Sequence, residues 1–85
     1  MDPAEIRLPL VRSKLEAMIL ELLQAYPHCR EAVSVTIRRI DIGPHGANWA
    51  LETYNPGRAQ REQCVFALKL IVPIVQHHFD LAADA

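Results

Sequence analysis

The chain is 85 residues long with a formal net charge of −1, and 51% of its residues are hydrophobic against 22% charged. This length and composition predict one globular domain with a small core and exclude an intrinsically disordered chain. The near-zero net charge argues against a protein that binds nucleic acid by bulk electrostatic attraction. No apolar run approaches the length of a membrane span and no signal peptide is visible, so we expect a cytoplasmic protein.

The sequence predicts a single domain over residues 1–85. Its N-terminal third is expected to form an arm over residues 1–11 and a helix over residues 12–26. Ser13 and Glu16 match a capping box, in which a serine cap is followed three residues later by glutamate. The apolar residues that then recur on one helical face are Leu15, Met18, Ile19, Leu22, Leu23 and Tyr26. Pro27 ends the helix, because the residue before a proline avoids helical geometry.

Residues 31–42 and 47–54 predict the two strands of an antiparallel β-hairpin. Apolar and polar side chains alternate along both segments, which is the pattern of a strand with one buried face. The glycines and the proline of residues 43–46 supply the turn between the strands. A two-stranded sheet is marginal by itself, so we expect other elements or another chain to complete it.

The alternation slips by one residue within the first strand. A β-bulge at Arg38–Arg39 would restore it and would turn Trp49 toward the helices. The inward pairs of this register are Ile40–Trp49, Ile37–Leu51 and Val35–Thr53. The outer face of the hairpin is then polar, and we predict a partner-binding surface on that side. Its residues are Thr36, Arg38, Arg39, Glu52 and Tyr54.

After a turn signal at residues 55–57, a helix is predicted over residues 58–80, with a kink near Pro73 because proline removes a backbone hydrogen bond. This helix is apolar on more sides than one hairpin and one helix can cover. We therefore expect a homodimer, formed either through a free strand edge or through this helix. The predicted interface residues are Val33, Val35, Phe66, Leu70 and Ile74.

These elements predict an α+β fold with the order α-β-β-α, in which the hairpin packs against two helices. Dimerisation would complete the hairpin to a four-stranded sheet. No catalytic residue is assigned, since the sequence shows no nucleophile–base set, no paired carboxylates and no phosphate-binding glycine loop. We expect no cofactor and interpret the chain as a non-enzymatic module that binds another protein.

Two alternatives stay open. The arginines of the hairpin, together with Trp49 and Tyr54, would suit a nucleic-acid-binding surface if the aromatic rings were exposed. A small enzyme or a metal-binding subunit is less favoured. His77 and His78 point about 100° apart on a helix and cannot easily bind one ion. Cys29 and Cys64 are too few for a zinc site, and we expect reduced, buried thiols and no disulfide between them.

Overall fold

The computed structural model of the chain describes residues 7–41, 43 and 46–83. In this part of the chain, two α-helices and four strands follow one another with a short 3₁₀ turn. They are β1 (Leu8–Leu10), α1 (Arg12–Gln24), the 3₁₀ turn (Pro27–Cys29), β2 (Ser34–Arg39), β3 (Trp49–Asn55), α2 (Arg61–His78) and β4 (Phe79–Leu81). Most of the predicted arm and part of the turn at residues 43–46 lie outside the described residues.

The architecture is a small α+β domain, as predicted, with two helices and an antiparallel hairpin of β2 and β3. The sequence interpretation missed a second sheet, in which β1 and β4 pair in parallel. Each of these strands is only three residues long, and they come from opposite ends of the chain. Helix α2 is continuous across Pro73, and the kink expected there stays a prediction.

The bulge of the hairpin lies on β3. The pairs on either side of it are Thr36–Thr53 and Ile37–Leu51. Glu52 is therefore the extra residue, and the predicted bulge at Arg38–Arg39 is wrong. The predicted pairing of Ile37 with Leu51 is confirmed. A bulge on either strand corrects the same slip of alternation, so this pair is correct although the bulge was assigned to the wrong strand.

The position of the bulge decides which side chain near the end of β3 turns inward. Tyr54 packs against the core, whereas Thr53 is exposed. The predicted pairs Ile40–Trp49 and Val35–Thr53 are replaced by Arg39–Trp49 and Val35–Tyr54. The physical reason is apolar area, because a tyrosine ring removes far more apolar surface from water than a threonine methyl group does.

The core lies between the inner face of the hairpin and the two helices. Its largest fully buried side chains are Trp49, Leu15, Ile19, Leu23, Ile37, Cys29 and Cys64. Leu15, Ile19 and Leu23 follow one another at four-residue intervals on α1, so that helix buries a single stripe. Trp49 has no exposed surface, as expected from its inward direction in the predicted register.

Hydrogen bonds from the side chains of Asn48 and Trp49 join β4 to the hairpin. The Asn48 side chain accepts a hydrogen bond from the Leu81 N–H (2.8 Å) and donates one to the Leu81 carbonyl (2.9 Å). The Trp49 indole N–H donates to the Phe79 carbonyl (3.0 Å). Since β4 follows α2 directly, these bonds hold the C-terminal end of α2 against the start of β3.

Candidate functional site

The outer face of the hairpin holds part of the predicted partner-binding surface. Arg38 and Glu52 are exposed there, and Thr36 is half-buried. Arg39 is exposed too, but it pairs with the inward-facing Trp49 and therefore lies on the side of the hairpin that faces the helices, where its guanidinium donates to the Ala82 carbonyl at 2.6 Å. The predicted placement of Tyr54 on this face is wrong, because the bulge turns its ring toward α2. Whether the four remaining residues bind a partner stays a prediction.

The outer face of the hairpin also bears on the nucleic-acid alternative. That alternative needs exposed aromatic rings on which bases can stack. Trp49 is buried and Tyr54 packs against the core. The described part of the hairpin therefore presents no aromatic side chain on its outer face, and the aromatic stacking that this alternative requires is missing there.

Side chains of α1 cover the free edge of β2. The Ile37 N–H donates to Glu16 Oε2 at 3.0 Å, and the Arg12 guanidinium donates to the Ile37 carbonyl. Gln24 Nε2 donates to the Ala32 carbonyl at 2.9 Å, just before the strand begins. These bonds occupy backbone groups that a second strand would need.

The two valines of the predicted strand-edge interface are placed differently. Val33 is exposed, and its N–H donates to the Asn55 carbonyl at 2.9 Å. Val35 is buried within the domain, so its side chain contributes to the core of one chain. The bulge at Glu52 interrupts the free edge of β3. At the start of the same strand, the Trp49 carbonyl accepts a hydrogen bond from the Gln76 side chain (3.0 Å). Both edges of the hairpin are thus poor templates for strand pairing.

The outer face of α2 carries three large exposed apolar side chains. Phe66, Leu70 and Ile74 are 64%, 47% and 61% exposed. They are spaced four residues apart and form one row along the helix. Glu62 and His78 continue the same row at its two ends, and both are exposed. We call this row of five residues the α2 outer face.

A groove runs along the flank of α2 next to β3. Its volume is about 390 Å³. It is lined by Leu51 and Tyr54 of β3 and by Val65, Lys69, Val72 and Pro73 of α2. We call it the α2–β3 groove. The Tyr54 hydroxyl oxygen is buried and has no hydrogen-bond partner among the described residues. Sequence reasoning missed this groove because it placed Tyr54 on the opposite face of the hairpin.

The two cysteines are free thiols, and both are buried in the core. Burial raises the pKa of the Cys64 thiol to about 11, and its hydrogen bond with the neighbouring Cys29 thiol adds to the shift. A thiol with a raised pKa is a poor nucleophile, because the reactive form is the thiolate. This pair therefore packs as two small hydrophobic side chains and does not form a nucleophilic site.

The histidines at the end of α2 do not form a metal centre with other described side chains. The His77 and His78 rings meet edge to face with their centroids 5.1 Å apart. Within the described ranges, no group of three or more histidine, cysteine, aspartate or glutamate side chains comes together in a way that could hold an ion. In the same ranges, no helix combines the length and apolar character that crossing a bilayer requires.

Gln76 has a role that its place in the sequence does not suggest. It lies among the few polar residues of α2, yet it is buried, and its amide donates to the Trp49 carbonyl. Its position four residues after the apolar Val72 gave no signal that could separate it from an exposed glutamine.

A scan of the chain against protein-family models finds no match, and searches of curated proteins and of solved structures find no significantly similar protein.

Proposed function

We propose that the protein is a cytoplasmic, non-enzymatic interaction module that works as a homodimer and binds a further protein. The observation that carries the proposal is the α2 outer face, where three large apolar side chains in one row are about half to two-thirds exposed. Exposed apolar patches on small domains are typical of interaction sites. The covered edge of β2 and the bulged edge of β3 favour the helix over the strand edge as the dimer contact.

The α2 outer face is complementary to a second copy of itself. In a two-fold pair of antiparallel helices that cross at Leu70, residues equally far from Leu70 on opposite sides meet. Phe66 then meets Ile74 of the second copy, and Glu62 lies near His78 of the second copy. The apolar side chains come together at the centre, and a carboxylate and an imidazole face each other at each end.

The packing geometry also suits this pairing. A row of side chains four residues apart is the ridge that packs beside the equivalent ridge of a second helix, with the helix axes about 8–10 Å apart. A shallow cleft of about 280 Å³ next to the row is lined by Pro73, Ile74, His77 and His78. Phe66 of the second copy is the side chain that would enter this cleft, because it lies opposite Ile74 in the antiparallel pair.

The test is the mass of the protein in solution. We expect sedimentation equilibrium over micromolar to millimolar concentrations to show a monomer–dimer equilibrium. Leu70→Asp places two carboxylates at the two-fold axis and should abolish the dimer. Leu22→Asp is the matched control, because Leu22 is 42% exposed on α1 and lies outside the proposed contact. A monomer mass that is independent of concentration would overturn the proposal.

A charge exchange tests the antiparallel orientation. Glu62→Lys should weaken association at neutral pH, because the new ammonium group removes the carboxylate that faces His78 of the second copy. The double variant Glu62→Lys with His78→Glu should restore it, since an ammonium group and a carboxylate then face each other across the contact. If the double variant associates no better than the single one, the two side chains do not meet in the dimer.

A further inference from the structure

A polar cleft lies where the 3₁₀ turn meets the loop that precedes α2. Its volume is about 410 Å³. Most of its lining residues are polar or charged, and we call it the arginine cleft. These residues are His28, Arg30, Glu31, Arg58 and Gln60. None of them belongs to the α2 outer face or to the α2–β3 groove, so the arginine cleft is a separate surface.

Backbone contacts hold the two walls of the arginine cleft together. The Gln60 N–H donates to the His28 carbonyl at 3.3 Å, which joins the loop to the 3₁₀ turn. Gly57 precedes Arg58 and has a positive φ of 57°. A Cβ atom at Gly57 would lie 2.6 Å from the Glu31 carbonyl oxygen, so only glycine lets the loop pass this close to the other wall. Arg58 is thereby held at the same cleft as the residues that follow the 3₁₀ turn.

The arginine cleft carries an unbalanced positive charge. Arg30 and Arg58 are both exposed, and within the described ranges neither forms an ion pair or a hydrogen bond through its side chain. Glu31 is the single carboxylate on the lining, and it makes no ion pair with a described residue either. Two positive charges against one negative charge leave the cleft positive even when His28 is neutral. A cleft of one sign of charge attracts a ligand of the opposite sign.

We propose that the arginine cleft binds a small phosphate monoester with hydroxyl groups on its organic part, such as a polyol phosphate. The phosphate accepts hydrogen bonds from the guanidinium groups of Arg30 and Arg58, because the planar fork of arginine matches the oxygens of a phosphate. Glu31 accepts a hydrogen bond from a hydroxyl group of the ligand. The volume of the cleft lies within the range of about 300–1,000 Å³ that is typical of small-molecule sites.

The charges on the lining select this class of ligand. A phosphate monoester carries a charge of about −1.5 to −2 at neutral pH, which compensates both arginines. A carboxylate carries a single negative charge and would compensate only one of them. A second anionic group on the ligand would meet Glu31, whereas a hydroxyl group satisfies that carboxylate without repulsion.

The test is a titration of the isotope-labelled full chain with sodium β-glycerophosphate, followed by amide NMR shifts. We expect saturable shifts at Arg30, Glu31, Ala59 and Gln60. Glycerol is the control without charge and should cause no saturable shift at these positions. Sodium sulfate is the control for a simple counter-ion and should bind at least about tenfold more weakly, because it offers no hydroxyl group to Glu31. Equal binding of sulfate and β-glycerophosphate would show an unspecific anion site and would overturn the proposal.

Two arginine variants test the assignment of the phosphate. Arg30→Gln and Arg58→Gln should each weaken the binding of β-glycerophosphate about tenfold, the size of effect expected when a charge-assisted hydrogen bond is lost. Both side chains are exposed, so both variants should keep the amide spectrum of the folded chain. Lys14→Gln is the matched control, because it removes one exposed positive charge near the start of α1, whereas the cleft follows the end of that helix. An unchanged affinity in either arginine variant would overturn the assignment.

A carboxylate variant tests the organic part of the ligand. Methyl phosphate has the same phosphate group without hydroxyl groups, so it should bind about tenfold more weakly than β-glycerophosphate. Glu31→Ala should remove this preference, because the preference depends on a hydrogen bond to the carboxylate. If the ratio of the two affinities is the same in Glu31→Ala and in the unsubstituted protein, Glu31 does not contact the ligand and this part of the proposal is overturned.

The ligand site does not depend on the proposed dimer, and the same spectra separate the two proposals. Leu70→Asp, which should be monomeric, must bind β-glycerophosphate with unchanged affinity. A loss of binding in that variant would overturn the placement of the site within one chain. If the shifts at Arg30 and Gln60 change with protein concentration in the absence of any ligand, a second copy fills the cleft and the ligand proposal is overturned.

Discussion

Helices α1 and α2 pack against the same hairpin, but their exposed faces differ. Helix α1 buries Leu15, Ile19 and Leu23, and it uses Glu16 and Arg12 to bind the backbone of β2. Helix α2 also buries one side, and Gln76 on that helix binds the backbone of β3. In addition, α2 carries a second apolar row, Phe66, Leu70 and Ile74, that is about half to two-thirds exposed.

This difference shows what the single chain explains and what it leaves unexplained. A helix on the surface of a small domain needs one apolar stripe, and α1 has one. Phe66, Leu70 and Ile74 on α2 are large side chains that keep about half or more of their surface in water after folding, so much of their apolar area contributes nothing to the stability of one chain. We propose that a second chain covers them, and we therefore place the interaction surface on α2.

The largest expected effect is the difference in stability between variants on the buried side and variants on the exposed side of α2. Ile71→Asp should unfold the domain, because an unpaired buried charge costs about 3–5 kcal/mol and Ile71 is almost fully buried. Ile19→Asp should do the same on α1. Leu70→Asp, one residue before Ile71, should change the monomer's free energy of unfolding by no more than about 0.5 kcal/mol.

Urea denaturation, followed by far-ultraviolet circular dichroism, measures these changes. The protein must be dilute enough that dimer dissociation does not contribute. A loss of stability in Leu70→Asp as large as that in Ile71→Asp would mean that the α2 outer face belongs to the core of the single chain. Leu22→Asp supplies the equivalent exposed control on α1.

An intermediate effect is expected where each helix binds a strand backbone. Gln76→Met leaves the Trp49 carbonyl without its donor, and Glu16→Leu leaves the Ile37 N–H without its acceptor. Each change should lower the free energy of unfolding by about 1–3 kcal/mol, the cost of an unsatisfied buried polar group. The loss should be larger for Gln76, which is buried, than for Glu16, which is half-buried.

Exposed residues of similar size provide the controls for this pair. Gln63→Met on α2 and Glu21→Leu on α1 replace exposed polar side chains. Chemical denaturation should find both within about 0.5 kcal/mol of the unsubstituted protein. If Gln76→Met is as stable as Gln63→Met, the amide bond to β3 contributes nothing and α2 is held by apolar packing alone.

The smallest expected effect concerns the tyrosine hydroxyl in the α2–β3 groove. Tyr54→Phe removes a buried hydroxyl that has no partner in the described chain, so the free energy of unfolding should rise by up to about 1 kcal/mol. Tyr26→Phe is the exposed control near the end of α1 and should leave stability unchanged. Thermal denaturation would check both. A clear destabilisation by Tyr54→Phe would indicate that the hydroxyl is hydrogen-bonded in solution.

Most features that sequence reasoning placed correctly have a strong local pattern. The turn at residues 55–57 is an example: Gly57 has a positive φ of 57°, and its N–H donates to the Asn55 side chain at 2.9 Å. The antiparallel hairpin follows from alternation in the same way, and the exposed flank of α2 follows from helical spacing. These features depend on neighbouring residues, so a pattern of a few residues is enough to indicate them. The capping box predicted at Ser13 and Glu16 is wrong, because α1 begins at Arg12 without a side-chain cap and Glu16 binds the Ile37 N–H instead.

Features that depend on distant residues were missed or misplaced. The bulge was assigned to Arg38–Arg39 because a slip of alternation can be corrected on either strand, and only the packing of Tyr54 against α2 selects Glu52. The parallel pairing of β1 with β4 joins segments from opposite ends of the chain, and three residues show no alternation. The α2–β3 groove was missed because the misplaced bulge put Tyr54 on the outer face of the hairpin.

The order of apolar and polar residues was enough to predict the α+β class, the two helices and the antiparallel hairpin, and it indicated that α2 is too apolar for one chain to cover. Periodicity carries that information, because buried positions repeat at the spacing of each element. Two features became visible only in the folded chain: α1 covers the edge of β2, and Tyr54 lines a groove. Those outcomes come from competition among side chains far apart in sequence for the same buried surface and the same backbone groups.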